Sequence, residues 1–190
     1  MGHAHPRLAP VLLAKALGAL RRLTVVLVAF TVLLAAPPSS AAEAPVEDPA
    51  PAYLERLRGE INARRAVAGA PALAPAGPDA DLAIARYLAD LAPVMRARRA
   101  CFHGGHDPVA PGWDYVAASG LAARAGGEVL GCPSDGFYWT PRRVADEWWA
   151  SPPHFAALYG DVLAIVVACG AHGGDDERGY QTVACITYRP

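Results

Sequence analysis

Thr140-Pro141-Arg142-Arg143-Val144-Ala145-Asp146-Glu147-Trp148-Trp149-Ala150-Ser151-Pro152-Pro153-His154 is the most informative stretch of the chain. The Thr140 hydroxyl can accept from one of the unpaired N–H groups that open a helix, and Pro141 carries the φ suited to the first helical position. Val144 with Trp148, and Ala145 with Trp149, fall four apart on adjoining apolar stripes. Pro152-Pro153 then ends the helix. Trp148 reads as core and Trp149 as rim. Arg143 precedes Glu147 by one helical turn and can pair with it, so Glu147 reads as a surface residue. Ser151 has no Gly-x-Ser-x-Gly elbow around it and reads as a helix-ending residue, not a nucleophile.

Upstream, Leu54, Leu57, Ile61 and Ala68 recur at helical spacing, which predicts a helix over 52–68 that Gly69 ends. Arg64 and Arg65 interrupt its apolar stripe. Asn62 and Arg65 are suited to tie this helix to nearby loops. Ala70–Pro78 carries three prolines and reads as a loop. A second helix is predicted over 78–98, with Leu82, Ala85, Leu88, Ala89 and Ala92 as its apolar stripe. Pro93 should kink or end it. Cys101–Gly112 reads as loop, 115–125 as one or two helical turns, and Glu128–Leu130 as a short strand. Downstream, Leu163–Ala168 is apolar at every position, as in a strand covered on both faces. Tyr180–Tyr188 reads as the last strand, after a hairpin loop over 171–179. The order helix, helix, strand, helix, strand, strand implies an α+β domain in which a small sheet packs between helix layers.

The N-terminal part differs from the rest. None of the 18 acidic residues precedes Glu43, whereas Arg7, Lys15, Arg21 and Arg22 do. Leu23–Ala36 is an almost unbroken apolar run, followed by Pro37-Pro38-Ser39-Ser40 and small residues. Basic flank, short apolar run and small-residue site form the pattern of a secretory signal, with cleavage after Ala42 or Ala44. The run is short for a membrane span, and an uncleaved anchor is the alternative. Arg21-Arg22 makes a weak twin-arginine match, and no Cys near the cleavage region marks a lipid attachment site. The expected organisation is a signal over 1–42, a linker over 43–52 and a domain over 53–190, with a secreted or extracytoplasmic location. Without residues 1–42 the chain keeps 13 basic and 18 acidic side chains, a net charge of −5, and no Lys. That balance argues against nucleic acid and against a polybasic membrane surface as partners.

Export also decides how Cys101, Cys132, Cys169 and Cys185 are read. An even count in an exported chain favours disulfides, and four cysteines allow three connectivities. Cys169 and Cys185 flank the predicted hairpin symmetrically, which makes them candidate cross-strand partners and leaves Cys101 with Cys132. Four buried free thiols are the alternative. No Cys-x-x-Cys spacing supports a zinc knuckle or a thioredoxin-type site.

Several local patterns occur in one order: Ile61-Asn62-Ala63-Arg64-Arg65 with Gly69 and Pro71-Ala72-Leu73, then Phe102-His103, Gly127-Glu128-Val129-Leu130, and the Trp148–His154 stretch, which reads Trp-x-x-Ser-Pro-x-His. In this order they resemble the CAP superfamily of cysteine-rich secretory proteins, antigen 5 and pathogenesis-related class 1 proteins, in an exported bacterial form. The resemblance spans about residues 53–189. It implies an α-β-α sandwich with a mainly antiparallel sheet and a surface cleft gathering His103, Glu128 and His154. His106 is a rival for the first histidine. Val129 stands where the family usually has Asn, Ser151 where many members have a second Glu, and Phe155 where bacterial members often have Arg.

Two imidazoles and a carboxylate can hold a divalent metal such as zinc with positions left for water, can act as base and orienter on a substrate, or can bond loops together beneath a cleft. The expected function is a non-catalytic extracellular binding module for a small apolar ligand, glycan or protein. The second reading is a metal-dependent hydrolase, such as a peptidase, built on the same three residues. His172, Asp175, Asp176 and Glu177 form a second acidic cluster in the last hairpin. It could bind calcium weakly, but a charged hairpin tip needs no ligand.

Overall fold

The computed structural model describes residues 50–190 apart from 106, 122, 134 and 135. The predicted signal, most of the linker and His106 therefore lie outside the described residues. Helix α1 (Pro51–Ala68) is followed by the short strand β1 (Ala74–Pro75), then by α2 (Pro78–Arg98) and α3 (Gly112–Ala117). Strand β2 (Arg124–Gly131) leads to α4 (Pro141–Ala150), α5 (Pro152–Leu158), β3 (Val166–Asp175) and β4 (Gly179–Arg189). The sheet order is β1-β3-β4-β2. β1 runs parallel to β3, and the other pairs are antiparallel.

Period-two alternation divides the core into two layers. Val129, Val167, Cys169, Val183 and Cys185 face α1, α4 and α5, and pack with Tyr53, Leu54, Leu57, Ile61, Val144, Trp148 and Leu158. Their neighbours Leu130, Ala168, Ala184, Ile186 and Tyr188 face α2 and α3, and pack with Ile84, Tyr87, Leu88, Leu91, Met95 and Val116. The fold is thus α+β, with the sheet between helix layers. Each fully buried Leu or Ile contributes about 1.5–3 kcal/mol, so the α1 stripe alone holds that helix firmly. Cys169 and Cys185 stand directly opposite each other and are disulfide-bonded, as are Cys101 and Cys132. The pairing follows the hairpin reading.

Among the described residues β1 covers only Val166 and Val167, so the rest of β3 has no strand on that side. Asp81 of α2 accepts from the Cys169 N–H at 2.9 Å, and Arg58 of α1 pairs with that same carboxylate. Burial pushes the Asp81 carboxyl up, while Cys169 N–H and Arg58 oppose the shift. One partly buried ion pair therefore links the two helix layers around the sheet margin, and its carboxylate occupies a strand N–H that would otherwise be free to pair with another chain.

Several expectations are corrected. Pro93 does not end α2, which runs on to Arg98 with the proline on its exposed side. Ala85, Leu88 and Ala92 of the expected α2 stripe are buried, with Ile84, Tyr87, Leu91 and Met95, whereas Leu82 and Ala89 are only half-buried. The loop over 70–78 contains β1. The helical turn after Cys101 begins at Gly112 rather than Tyr115. Pro152-Pro153 ends α4 and also opens α5. Of the apolar run Leu163–Ala168, only Val166–Ala168 lies in a strand covered on both faces. β3 starts at Val166, and Val162, Leu163 and Ile165 are exposed, Leu163 at 61%. Chain direction there is set by Arg65, onto which the carbonyls of Leu158, Asp161 and Ala164 converge. The hairpin loop is also tighter than expected, since β3 extends to Asp175 and β4 begins at Gly179. Asn62 and Arg65 do tie α1 to loops: Asn62 bonds both the N–H and the carbonyl of Leu73.

Candidate functional site

β2 is an edge strand; it carries Glu128, to which His103 is bonded. Glu128 stands opposite Ile186 of β4 on the α2 side. Its side chain is only 4% exposed. Tyr87 of α2 donates its hydroxyl to Glu128 Oε1 at 2.6 Å and accepts from the Gly104 N–H at 2.8 Å. That second bond fixes the segment carrying His103, whose Nδ1 lies 3.0 Å from Glu128 Oε1. The Cys101–Cys132 disulfide closes the same segment onto the chain just beyond β2. His103 remains 46% exposed, so one ring nitrogen is bound to the carboxylate and the rest of the ring faces outward.

His154 approaches from the opposite side, on the first turn of α5. That helix can lie close because β2 has glycine there. A Cβ at Gly127 would stand 2.8 Å from Ala157 Cβ. Helix α4 positions α5 in turn: Thr140 caps it through the Arg143 N–H, and Tyr159 donates its hydroxyl to the Ala145 carbonyl. Trp148 is core and Trp149 is partly buried, as read from the sequence. Arg143 does not pair with Glu147. It lies over the Phe137 ring, 4.1 Å from the centroid, and the ion pair one turn apart on α4 is Arg142–Asp146.

The two imidazoles are driven in opposite directions. The hydrogen bond to Glu128, helped by its charge, raises the His103 pKa above the usual 6.5, against the effect of burial. Burial, followed by the charge on His103, lowers that of His154. His103 therefore holds its proton more readily than His154. Two polar atoms on the α2 side, Glu128 Oε2 and the Tyr188 hydroxyl, are buried without a partner among the described residues, and burial, followed by the Glu128 charge, raises the Tyr188 pKa.

A pH prediction follows for protein freed of metal with a chelator. The His103 NMR titration midpoint is expected above 6.5 in wild type, and at or below 6.5 in Glu128→Gln. His103 then stabilises the fold fully below pH 6.5, and this contribution is lost as pH rises through its raised pKa. His154 has the opposite sign: its contribution is present above 6.5 and lost as pH falls through its lowered pKa. Equal midpoints for the two histidines would refute this arrangement.

Tyr87 was not singled out by sequence. Its signal was a hydroxyl-bearing ring on the buried face of an otherwise aliphatic helix, since such a hydroxyl needs a partner. In the last hairpin, Asp175 accepts from the N–H groups of Glu177 and Arg178 and pairs with the Arg178 side chain. It is therefore committed to the turn. Among the described residues no group of three or more His, Cys, Asp or Glu is placed to hold a metal ion, and no helix is long and apolar enough to cross a membrane.

No family model matches the chain, and no curated protein matches it. Among solved structures it is similar to an extracellular protein containing a SCP domain from Bacillus anthracis str. Ames, at 14% identity and a TM-score of 0.49. The match covers 72% of this chain, which spans only 40% of that protein.

Proposed function

We propose that this chain is an exported CAP-type domain acting as a non-catalytic binding module, with a cleft at the β2 edge where His103 and His154 hold a divalent cation such as zinc. The observation that carries the reading is the bonding of Glu128. Its Oε1 already serves Tyr87 and His103, so this carboxylate is an orienting group and not a ligand. A carboxylate on one ring nitrogen, which fixes the tautomer and leaves the other nitrogen outward, is the usual support of a metal-binding histidine. The residues fit the cation in this sense. When bound, it offers open coordination positions to an oxygen ligand. A hydrolytic zinc site ordinarily has three protein ligands and a base for water. Here the third candidate, Glu128, is buried and engaged through Oε1, which favours binding over the metal-dependent hydrolase.

Zinc titration calorimetry tests this on the mature domain. Wild type is expected to bind one zinc. His103→Ala and His154→Ala should each lose about tenfold or more in affinity, and Glu128→Gln about tenfold, while all stay folded by circular dichroism. No heat at millimolar zinc would overturn the metal assignment. Zinc-dependent peptide hydrolysis that His154→Ala abolishes would overturn the non-catalytic one.

A further inference from the structure

The two disulfides stand in opposite surroundings. Cys169 and Cys185 are fully buried in the core. Cys101 is exposed and Cys132 half-buried, and both line a groove of about 390 Å³ with Met95, Arg96, Arg99 and Pro133. None of the described residues lining it is acidic. Arg96 donates to the Gln181 side chain, which leaves most of its donors unused. The Arg99 guanidinium makes no hydrogen bond or ion pair among the described residues. It sits on the left-handed residue that caps α2, beside the disulfide segment. An accessible disulfide is thus set in a cationic groove within a chain of net negative charge.

We propose that this groove is a thiol–disulfide exchange site for small thiols bearing carboxylates. Arg96 and Arg99 have two roles. They concentrate the anionic thiol, and they stabilise the thiolate that leaves, which speeds exchange at a nearby sulfur. The incoming thiolate attacks Sγ of Cys101, the more exposed residue of the pair. A new S–S bond forms between them, and the old bonding pair departs on Cys132 Sγ. The product is a mixed disulfide on Cys101 with a thiolate at Cys132. A second small thiolate then attacks the mixed disulfide, releasing the small symmetric disulfide and leaving Cys101 as thiolate. Two small thiols are oxidised, one protein disulfide is reduced, and both protein thiolates take protons from solvent. Cys169–Cys185 has no such access and serves as an internal control. This proposal is independent of the metal reading.

The test compares 3-mercaptopropionate, 2-mercaptoethanol and cysteamine on the folded mature domain, followed by mass spectrometry with peptide mapping. Each rate is divided by that thiol's rate with a small neutral disulfide at the same pH, which cancels intrinsic reactivity. The expected result is a Cys101 adduct with the anionic thiol favoured about tenfold or more over the cationic one at low ionic strength, the preference fading toward about 0.5 M salt. Arg96→Gln/Arg99→Gln should abolish the preference, and Arg96→Lys/Arg99→Lys should keep it, while Cys169–Cys185 stays oxidised in all. Equal normalised rates for the three thiols would overturn the proposal. So would a preference unchanged in the glutamine variant, or loss of both disulfides together at the rate of global unfolding.

Discussion

Arg65→Met is expected to destabilise the domain by about 3–5 kcal/mol, the usual cost of breaking a buried charged network. Arg65 is 0% exposed. Its Nε donates to the Pro71 carbonyl and its two terminal nitrogens to those of Leu158, Asp161 and Ala164. Burial lowers its pKa, with the charge of Asp161 opposing, yet an arginine in this range stays charged. Methionine keeps the stem packing and removes every donor. Four carbonyls lose the guanidinium, of which Asp161 keeps the Ala164 N–H, and each buried acceptor left unpaired costs about 1–3 kcal/mol before water or local movement relieves it. Urea unfolding should show the loss directly, and Tm should fall by roughly 10 °C or more. Arg65→Lys should recover only part, because one ammonium cannot span carbonyls on both sides of a planar fork. A loss under about 1 kcal/mol would show that the 158–164 turn holds without the guanidinium.

Gly170→Ala is the second large effect, and its cause is steric. A Cβ at this position of β3 would lie 2.6 Å from Ala85 N, and 2.7 Å from both Ile84 C and Ile84 Cγ2. Two of those three atoms are helix backbone, which cannot swing aside as a side chain tip can. Either α2 moves off the sheet as a unit or β3 bends. Overpacking of this kind costs about 1–3 kcal/mol and more where backbone must shift, so a loss near 3 kcal/mol is expected in the same unfolding assay. Gly59→Ala in α1, where nothing lies within 4 Å, is the matched control and should be neutral or stabilising. Equal behaviour of the two variants would mean that α2 does not rest on β3 as closely as described.

What the sequence could reveal depended on how local the cause was. The α4 start was legible because Thr140-Pro141 carries its own capping chemistry. The Cys169–Cys185 pair was legible because a hairpin places symmetric residues opposite each other. The first half of the Leu163–Ala168 run misled, because apolar content predicts burial only if the backbone goes straight, and a distant cation, Arg65, holds the preceding turn. β1 was hidden among three prolines, since a two-residue parallel pairing has no periodicity to read. For the site, His103 with Glu128 came from the family resemblance, and the geometry adds a direct bond between them. Tyr87 stayed invisible because its role is to join Gly104 to Glu128, two partners separated in sequence.

The order of strands has a further consequence for how this molecule is made. Among the described residues β4 is the only strand partner of β2, and the only one of β3 beyond the two residues of β1. It is also the element that follows all the others along the chain. During vectorial synthesis β2 and most of β3 therefore wait without a ladder, and neither helix layer has a finished surface to rest on. Domains dominated by such distant pairings fold late and as a unit. A nascent chain of this topology stays pliable until its closing strand emerges. Removing that strand takes away the middle of the sheet, so a truncated product keeps two strips with nothing between them.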